Sequence, residues 1–494
     1  MINMDINSVK KNTILNALRM VLTVLVPLIT FPYISRVFLT EGNGQLNFAL
    51  SVTQIFTLFA SLGIYTYGVR EGSSIRSDRK KFSKLAHELL IINFGSTIFT
   101  YVVFFCLVAF YQPFRHYRLL LMIDSLIIGF TALGLDWVYG VYEEYKYITL
   151  RQIAVQLFVL ISMFCFIKEP KDIYLWALLT VTSTVGANIF NIFYSKRYID
   201  FSQFYWKHLK LRKHIKPILI LFATQLAGQV YSHIAIILLG ILAYDHNTGL
   251  YAAAVKVNVI MITFFIAMNP VFMPTIVELM NTSQLERYFA FFENIIKTLL
   301  VFVVPTVLGL ELLADEIILL LAGKAFINAA VTMRILAPVI MLTTMASLFY
   351  YNYFVPRHLE NTVLKCTSCA AIINFIASLL LIPYFAENGA AIGSLVAESV
   401  ALLVALRIAY KVDTRIRLCM PSVTNIVVGC ILISVWCLVC KYIIVSLISR
   451  IIIVILGSTF IYVSYFILVK DPISDDIFKV INKLKSKIRC LRGV

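Results

Sequence analysis

The sequence predicts an all-α, polytopic membrane protein with about fourteen transmembrane helices. Three observations predict it. Of the 494 residues, 60% are hydrophobic and only 14% are charged, which is more apolar surface than a water-soluble chain of this length hides. Apolar runs of about 18 residues or more recur from end to end, each long enough to cross a hydrocarbon layer of about 30 Å as a helix. Lys and Arg concentrate in alternate gaps between these runs, as they do on the cytoplasmic side of a membrane. Inside lipid a backbone has to satisfy its own hydrogen bonds, and runs of this length do so as helices.

The runs lie at 14–37, 45–68, 86–110, 118–138, 149–167, 173–194, 217–243, 250–276, 290–312, 328–354, 363–384, 389–409, 421–445 and 450–469. Lys10 and Lys11 precede the first. It is too long for a secretory h-region and no small-residue cleavage pattern follows it, so it reads as a membrane helix, not a signal peptide. An even number of crossings puts both termini on one side. Charge places that side in the cytoplasm, because the opposite loops hold only Arg36, Arg115, Arg118, Lys168, Lys171, Lys324, Lys441 and Arg450 of the 43 basic residues. The net charge of +17 is thereby accounted for by loops facing the cytoplasm. No nucleic-acid motif accompanies it, and no nucleic-acid partner is expected. Four basic residues remain inside the runs: Arg19, Lys256, Lys297 and Arg334. Ionisable groups there face a cavity or a partner; Lys297 has Glu293 one turn earlier and is expected to pair with it.

The outer loops are short. The longest, 313–327, is itself apolar and is expected at the interface. The tail 470–494 is basic and reads as a short amphipathic helix on the inner surface. A weak internal repeat relates GQLNFALSV, from Gly44, to GLYAAAVKV, from Gly249. Each opens a segment after a short turn, and the offset of 205 residues matches a six-helix unit used twice. The expected organisation is a six-helix bundle at 1–200, a second at 210–410, two added helices at 421–469 and the tail, with a central cavity between the bundles.

Several segments carry a polar face. Asn12, Asn16, Arg19, Thr23 and Thr30 lie on one side of the first, and Asn47, Ser51, Gln54 and Ser61 on one side of the second. The seventh carries Gln225, Gln229, Ser232 and His233, and the eighth places Lys256 and Thr263 on one face. Two readings are open. The polar groups cross-link packed helices, or the four faces line a common wet cavity with Arg19, Arg36, Lys256 and Arg334 as its cations. Embedded acids are Asp124, Asp136 and Glu398. Asp136 sits near a helix end beside Trp137 and reads as an anchor. Asp124, nearer mid-membrane, and Glu398 are candidates for coupling to a cation or proton.

No Ser/His/Asp constellation, Walker loop or GxGxxG occurs, so neither a catalytic residue nor a nucleotide site is assigned. Cys366 with Cys369, and Cys437 with Cys440, form CxxC pairs, but both lie inside apolar runs, where cysteine packs as a small hydrophobe. No metal and no cofactor is expected.

The stretches TFPYISRVF and EGNGQLNFALSV, then LGIYTYGVREGSSIRSDRKK from Leu62 and LGLDWVYGVYEEYKYITLR from Leu133, resemble the Wzx family of polysaccharide flippases. That family belongs to the superfamily that also holds the MATE antiporters and the lipid II flippases. GKAFINAAVTMRILAPVI and IPYFAENGAAIGSLVAE extend the resemblance, which covers about residues 8 to 410. It implies two six-helix bundles around a cavity. It also implies movement of an undecaprenyl-diphosphate-linked oligosaccharide, for O-antigen or capsule, across the bacterial cytoplasmic membrane. Membrane lipids, a polysaccharide polymerase and a chain-length regulator are the implied partners. Related lipid II flippases carry arginines on their first and eighth helices, where this chain offers Arg19 and Lys256; the lysine lacks the bidentate fork that grips a diphosphate. In the 31–52 stretch the EGNG glycines are expected to make a tight outer turn, with Arg36 at the surface to receive the diphosphate or to anchor the interface. The rival functions are a MATE-type cation or drug antiporter, which favours an acidic cavity, a membrane polymerase or ligase, which needs a large catalytic outer loop, and a passive scaffold.

Overall fold

The structure is a computed structural model that describes residues 6–201, 209–282, 284–415 and 423–469, with side chains from Val26 onward. The expected tail helix at 470–494 lies outside the described residues. Every regular element among the described residues is helical. In order they are α1 (Ile6–Ser61), α2 (Ile64–Ile75), α3 (Arg79–Phe110), α4 (Arg118–Leu133), α5 (Asp136–Val141), α6 (Tyr145–Phe166), α7 (Ile173–Ser195), α8 (Leu211–Leu242), α9 (Asp245–Ile266), α10 (Asn269–Asn281), α11 (Leu285–Leu312), α12 (Ala314–Leu321), α13 (Ala329–Leu348), α14 (Glu360–Val412), α15 (Val423–Ile443) and α16 (Leu447–Leu468).

Eleven helical stretches among the described residues are long and apolar enough to cross a membrane. The difference from the fourteen predicted has a local cause in each case. α1 and α14 each run through two predicted segments, interrupted by one left-handed residue, Leu39 (φ 54°) and Ala386 (φ 47°). α4 is apolar but has only 16 residues. At Ala386 the chain folds back on itself. A Cβ on Gly389 would stand 2.5 Å from the Leu381 carbonyl oxygen, and one on Gly393 would stand 2.8 Å from Ser378 Oγ. In a straight helix residues 378 and 393 would be about 22 Å apart.

The expected EGNG turn is corrected in the same way. The left-handed residue is Leu39, and Gly42 and Gly44 are helical. These glycines serve close packing, not reversal: a Cβ on Gly44 would lie 1.9 Å from the Asp245 carbonyl oxygen. The eighth predicted segment breaks between α9 and α10, where Pro270 supplies no amide to continue the ladder. The α13 helix runs on through a π-helical turn, Phe349–Phe354.

α3 shows why these helices belong in lipid. Phe94, Ile98, Phe99, Val102 and Phe105 are exposed, whereas Asn93, Thr97 and Thr100 are buried. A soluble helix would turn the other way round. The chain is a multi-pass membrane protein. Asp78 caps α3 by accepting from the amides of Lys80 and Lys81, and the Lys81 amide bond holds its carboxyl below the usual range.

The chain divides into two compact units. Unit 1 comprises Met1–Ala253, Leu321–Phe326 and Thr367–Gly393; unit 2 comprises Ala254–Leu320, Ile327–Cys366 and Ser394–Val494. In unit 1, α1, α3, α4, α6 and α7 share a core built on Phe48, Phe104, Leu121, Ile128 and Met163. In unit 2, α15 and α16 pack on α11 through Ile426, Ile433, Tyr462 and Val301, and Tyr462 Oη donates to the Val301 carbonyl at 3.0 Å. Cys437 and Cys440 are buried against Leu313 and Val454, as apolar packing would have them.

The 313–327 loop holds an ion-pair centre. Glu316 on α12 is 5% exposed and meets Lys441 Nζ at 3.2 Å and Arg450 Nη1 at 3.3 Å. One carboxylate thus ties α12 to α15 and to the start of α16. Glu316→Ala is expected to lower stability by about 2 kcal/mol, below the usual range for a broken buried pair because both cations keep some access to solvent. The thermal unfolding midpoint of the purified protein measures this. A midpoint equal to wild type would mean that the apolar contacts alone hold α15 and α16.

Candidate functional site

The polar faces predicted on the second and seventh segments meet inside unit 1. His233 Nδ1 on α8 lies 3.3 Å from Ser51 Oγ on α1, and Gln225 Nε2 donates to Thr66 Oγ1 on α2 at 3.2 Å. Between these bridges lie Gln54 on α1 and Gln229 on α8, neither of which makes a hydrogen bond to any described residue. Part of the face is therefore helix cross-linking, and part carries amides that no described residue engages. Asn47 returns its amide to the Asn43 carbonyl on its own helix, at 2.7 Å.

The expected cations have different surroundings. Asn16 and Arg19 lie on α1, with side chains outside the described residues. Arg36 is exposed on α1 just before the Leu39 kink and donates to the Pro32 carbonyl at 2.6 Å. Lys256 is half-buried on α9 in unit 2. Arg334, on α13 of unit 2, is held by Asp315 and by the Glu311 carbonyl, so a ligand there would compete with an ion pair. Lys297 pairs with Glu293 at 3.0 Å, as the spacing predicts. Of the acids, Asp136 receives Arg151 and Asn191 and works as an anchor. Glu398 is buried on α14 in unit 2. Asp124 on α4 is 3% exposed and has no hydrogen bond or ion pair among the described residues.

Sequence reasoning missed a polar knuckle at the first turn of α9. Asp245 accepts from Gln45 Nε2 at 3.0 Å, from His116 Nε2 at 3.0 Å and from Tyr117 Oη. His246 Nδ1 lies 2.7 Å from Thr40 Oγ1, and Asn247 Nδ2 donates to Glu387 Oε2 at 2.6 Å. Three successive residues thus hold the α1 kink, the lead into α4 and the α14 kink. The backbones touch as well. A Cβ on Gly44 would meet the Asp245 carbonyl at 1.9 Å, and a Cβ on Gly249 would meet the Thr40 carbonyl at 2.0 Å. Gly249 follows Gly44, and Asp245 follows Thr40, by the same 205 residues. The two contacts are one contact repeated, so the internal repeat is present in space. Extending the repeat four residues back from Gly44 and Gly249 would have found Thr40 and Asp245.

A second missed cluster lies at the start of α8. Tyr67 Oη is 2.6 Å from His214 Nδ1, and His214 Nε2 is 2.8 Å from Glu88 Oε2. Glu88 Oε1 accepts the Lys210 amide at 2.8 Å. All three side chains are buried, and they pin the connection between the chain halves to α3.

Residues 9–280 match the family described as "Polysaccharide biosynthesis protein". The chain is 19% identical over 422 residues to a protein of Escherichia coli (strain K12) named "Putative O-antigen transporter", covering 83% of this chain and 99% of that one. Among solved structures, it resembles "Lipid II flippase MurJ, inward closed conformation", with a TM-score of 0.73, 14% identity, and coverage of 93% of this chain and 100% of that one. An inward-facing multidrug resistance MATE transporter of the MOP superfamily follows, with a TM-score of 0.55, 12% identity, and coverage of 80% and 98%. At these identities the structures share a fold with this chain.

The knuckle depends on residues without a Cβ. A cysteine pair at Thr40 and His246 is expected to crosslink readily in the otherwise wild-type protein, and Gly249→Val is expected to reduce the yield severalfold by forcing the two backbones apart. An unchanged yield, read on a denaturing gel after mild oxidation, would show that the contact is not closed by the glycines.

Proposed function

Given that this chain belongs to the polysaccharide biosynthesis protein family, we propose that it is a flippase for undecaprenyl-diphosphate-linked oligosaccharide repeat units. It moves them from the inner to the outer leaflet of the bacterial cytoplasmic membrane for surface polysaccharide assembly. The observation that carries this reading is the polar face shared by α1 and α8, where Gln54 and Gln229 make no hydrogen bond to any described residue, on helices that are otherwise fit for lipid. Sugars need hydrogen bonds that hydrocarbon does not provide, and the isoprenoid tail needs only the lipid itself. The diphosphate calls for cations, and Arg19, Arg36, Lys256 and Arg334 are the proposed ones, with Asn16, Asn47, Gln54, Gln225 and Gln229 as hydrogen-bonding groups. Asp124 and Glu398 are the proposed ion-coupling acids.

The proposed topology has fourteen crossings. Leu39 and Ala386 each end one crossing and begin the next, and α4 counts as a crossing despite its length. Both termini then lie in the cytoplasm, in keeping with the distribution of Lys and Arg. Residues 1–200 and 210–410 rock against each other in alternating access, with helices 421–469 attached to the second half. The chain breaks and makes no covalent bond in this reading; a polymerase and a chain-length regulator act on what it delivers. The family assignment favours this over a MATE-type drug antiporter.

Deleting the gene and weighing lipid-linked oligosaccharides by mass spectrometry tests the reading. A complete repeat unit is expected to accumulate on its undecaprenyl carrier and to return to normal with the wild-type gene. Gln54→Leu combined with Gln229→Leu is expected to restore it incompletely. An unchanged lipid pool during active polymer synthesis would count against the flippase.

A further inference from the structure

In unit 2 a single carboxylate is set into an apolar groove. Val301 packs in one cluster with Ile426 and Ile433, and Leu312 and Leu313 pack in another with Cys437 and Cys440, so α11 and α15 run parallel. Between them lies a groove of about 390 Å³. Val304, Leu308, Ile426 and Cys430 line it, and so do Val427 and Ile431, which are exposed and open it toward lipid. Its polar lining residues are Glu311 on α11 and Ser434 on α15. Each is the last lining residue on its helix, so the two stand at the same end. From Val304 to Glu311 the groove runs about 10 Å along the axis.

The Glu311 carboxylate makes no hydrogen bond or ion pair with any described residue. Arg334 donates to the backbone carbonyl of Glu311 at 3.3 Å, but it gives its ion pair to Asp315. The place is unfavourable for an acid on two counts. An unpaired carboxylate beside hydrocarbon is costly, and Glu311 lies in the last turn of α11, where free carbonyls favour positive charge. Ser434 Oγ donates to the Cys430 carbonyl at 2.9 Å, which leaves its oxygen as an acceptor. One end of the groove therefore offers acceptors and negative charge, and the rest offers only apolar surface.

We propose that this groove binds a phospholipid whose headgroup ends in a primary ammonium, of the phosphatidylethanolamine type. The ammonium meets Glu311 and Ser434, and an acyl chain lies along Val304, Leu308, Ile426 and Ile431. A primary ammonium brings both the charge and the N–H donors that the carboxylate lacks. A quaternary ammonium brings charge without donors, and a hydroxyl headgroup brings donors without charge. A diphosphate headgroup is repelled by Glu311, so the groove is distinct from the proposed path of the transported lipid. In the proposed topology the polar end of the groove is the outer one, and the lipid comes from the outer leaflet. Its binding does not rest on the flippase reading.

Native mass spectrometry of the purified full-length protein tests this, with phospholipids that share acyl chains and differ in headgroup. Phosphatidylethanolamine is expected to bind about tenfold more tightly than phosphatidylcholine or phosphatidylglycerol, the worth of one charge-assisted hydrogen bond. Glu311→Gln, which keeps the side-chain shape, is expected to erase that preference. Val307→Trp, which fills the groove, is expected to weaken phosphatidylethanolamine severalfold, and it decides the matter should Glu311→Gln fail to fold. Glycerophosphoethanolamine, the same head without chains, is expected to compete only at far higher concentration. Equal binding of the three lipids, a preference that survives in Glu311→Gln, or undiminished binding in Val307→Trp would each overturn the proposal. Competition by the chainless head at the concentration of the lipid would also overturn it, and would assign the carboxylate to a soluble amine.

Discussion

In hydrocarbon a polar group on a helix has no water to bind, and the rest of this structure depends on where such groups find partners. α3 turns its aromatic and aliphatic side chains outward and its Asn and Thr inward. Glu316 is tolerated because Lys441 and Arg450 converge on it, and that convergence docks α15 and α16. Arg151 is tolerated because Asp136 and Asn191 receive it, fixing α5 and α6 to α7. In each case the need to satisfy one ion brings several helices together. Among the described residues the need is left unmet at Gln54 and Gln229, and at Asp124.

The knuckle answers a different constraint, that of distance. Two backbones approach until the place of a side chain is filled by a carbonyl oxygen, at Gly44 and again at Gly249. No residue but glycine permits that without a shift. The contact is reciprocal, because the chain uses the same unit twice and the two copies face each other with equivalent residues. The polar bonds around it are not equivalent. Thr40 meets His246, whereas Asp245 gathers Gln45, His116 and Tyr117. A duplicated backbone contact has thus been given a polar cluster on one side only.

Much of this was legible in the sequence. Apolar runs gave the helices, and Gly44 and Gly249 marked the repeat on which the knuckle is built. The pairing of Lys297 with Glu293 followed from spacing alone. The breaks were harder. EGNG resembles a turn, yet the positive-φ residues that break α1 and α14 are Leu39 and Ala386, where tertiary packing overrides a local preference worth about 1–3 kcal/mol. Polar faces were visible from periodicity, but which of them would close on one another was not. Ser51 and His233 are 182 residues apart, and nothing local to either predicts the bond. Glu88, His214 and Tyr67 were unreadable for the same reason: each is unremarkable in its own segment, and the triad exists only where three helices cross.

α4 joins the two polar centres of unit 1. Tyr117, which leads into it, donates to Asp245, and Asp124 follows two turns later, about 10 Å along the axis. α1 is also the helix that brings Thr40, Gly44 and Gln45 to the knuckle, and it carries Gln54 on the polar face it shares with α8. A ligand bound on that face would therefore act on a helix that holds Asp245 from one side, while α4 holds it from the other. Where one element serves two sites, occupancy of one and closure of the other share a single free energy, and the coupling is reciprocal. An open knuckle would change the affinity for the ligand by the same factor by which the ligand favours closure.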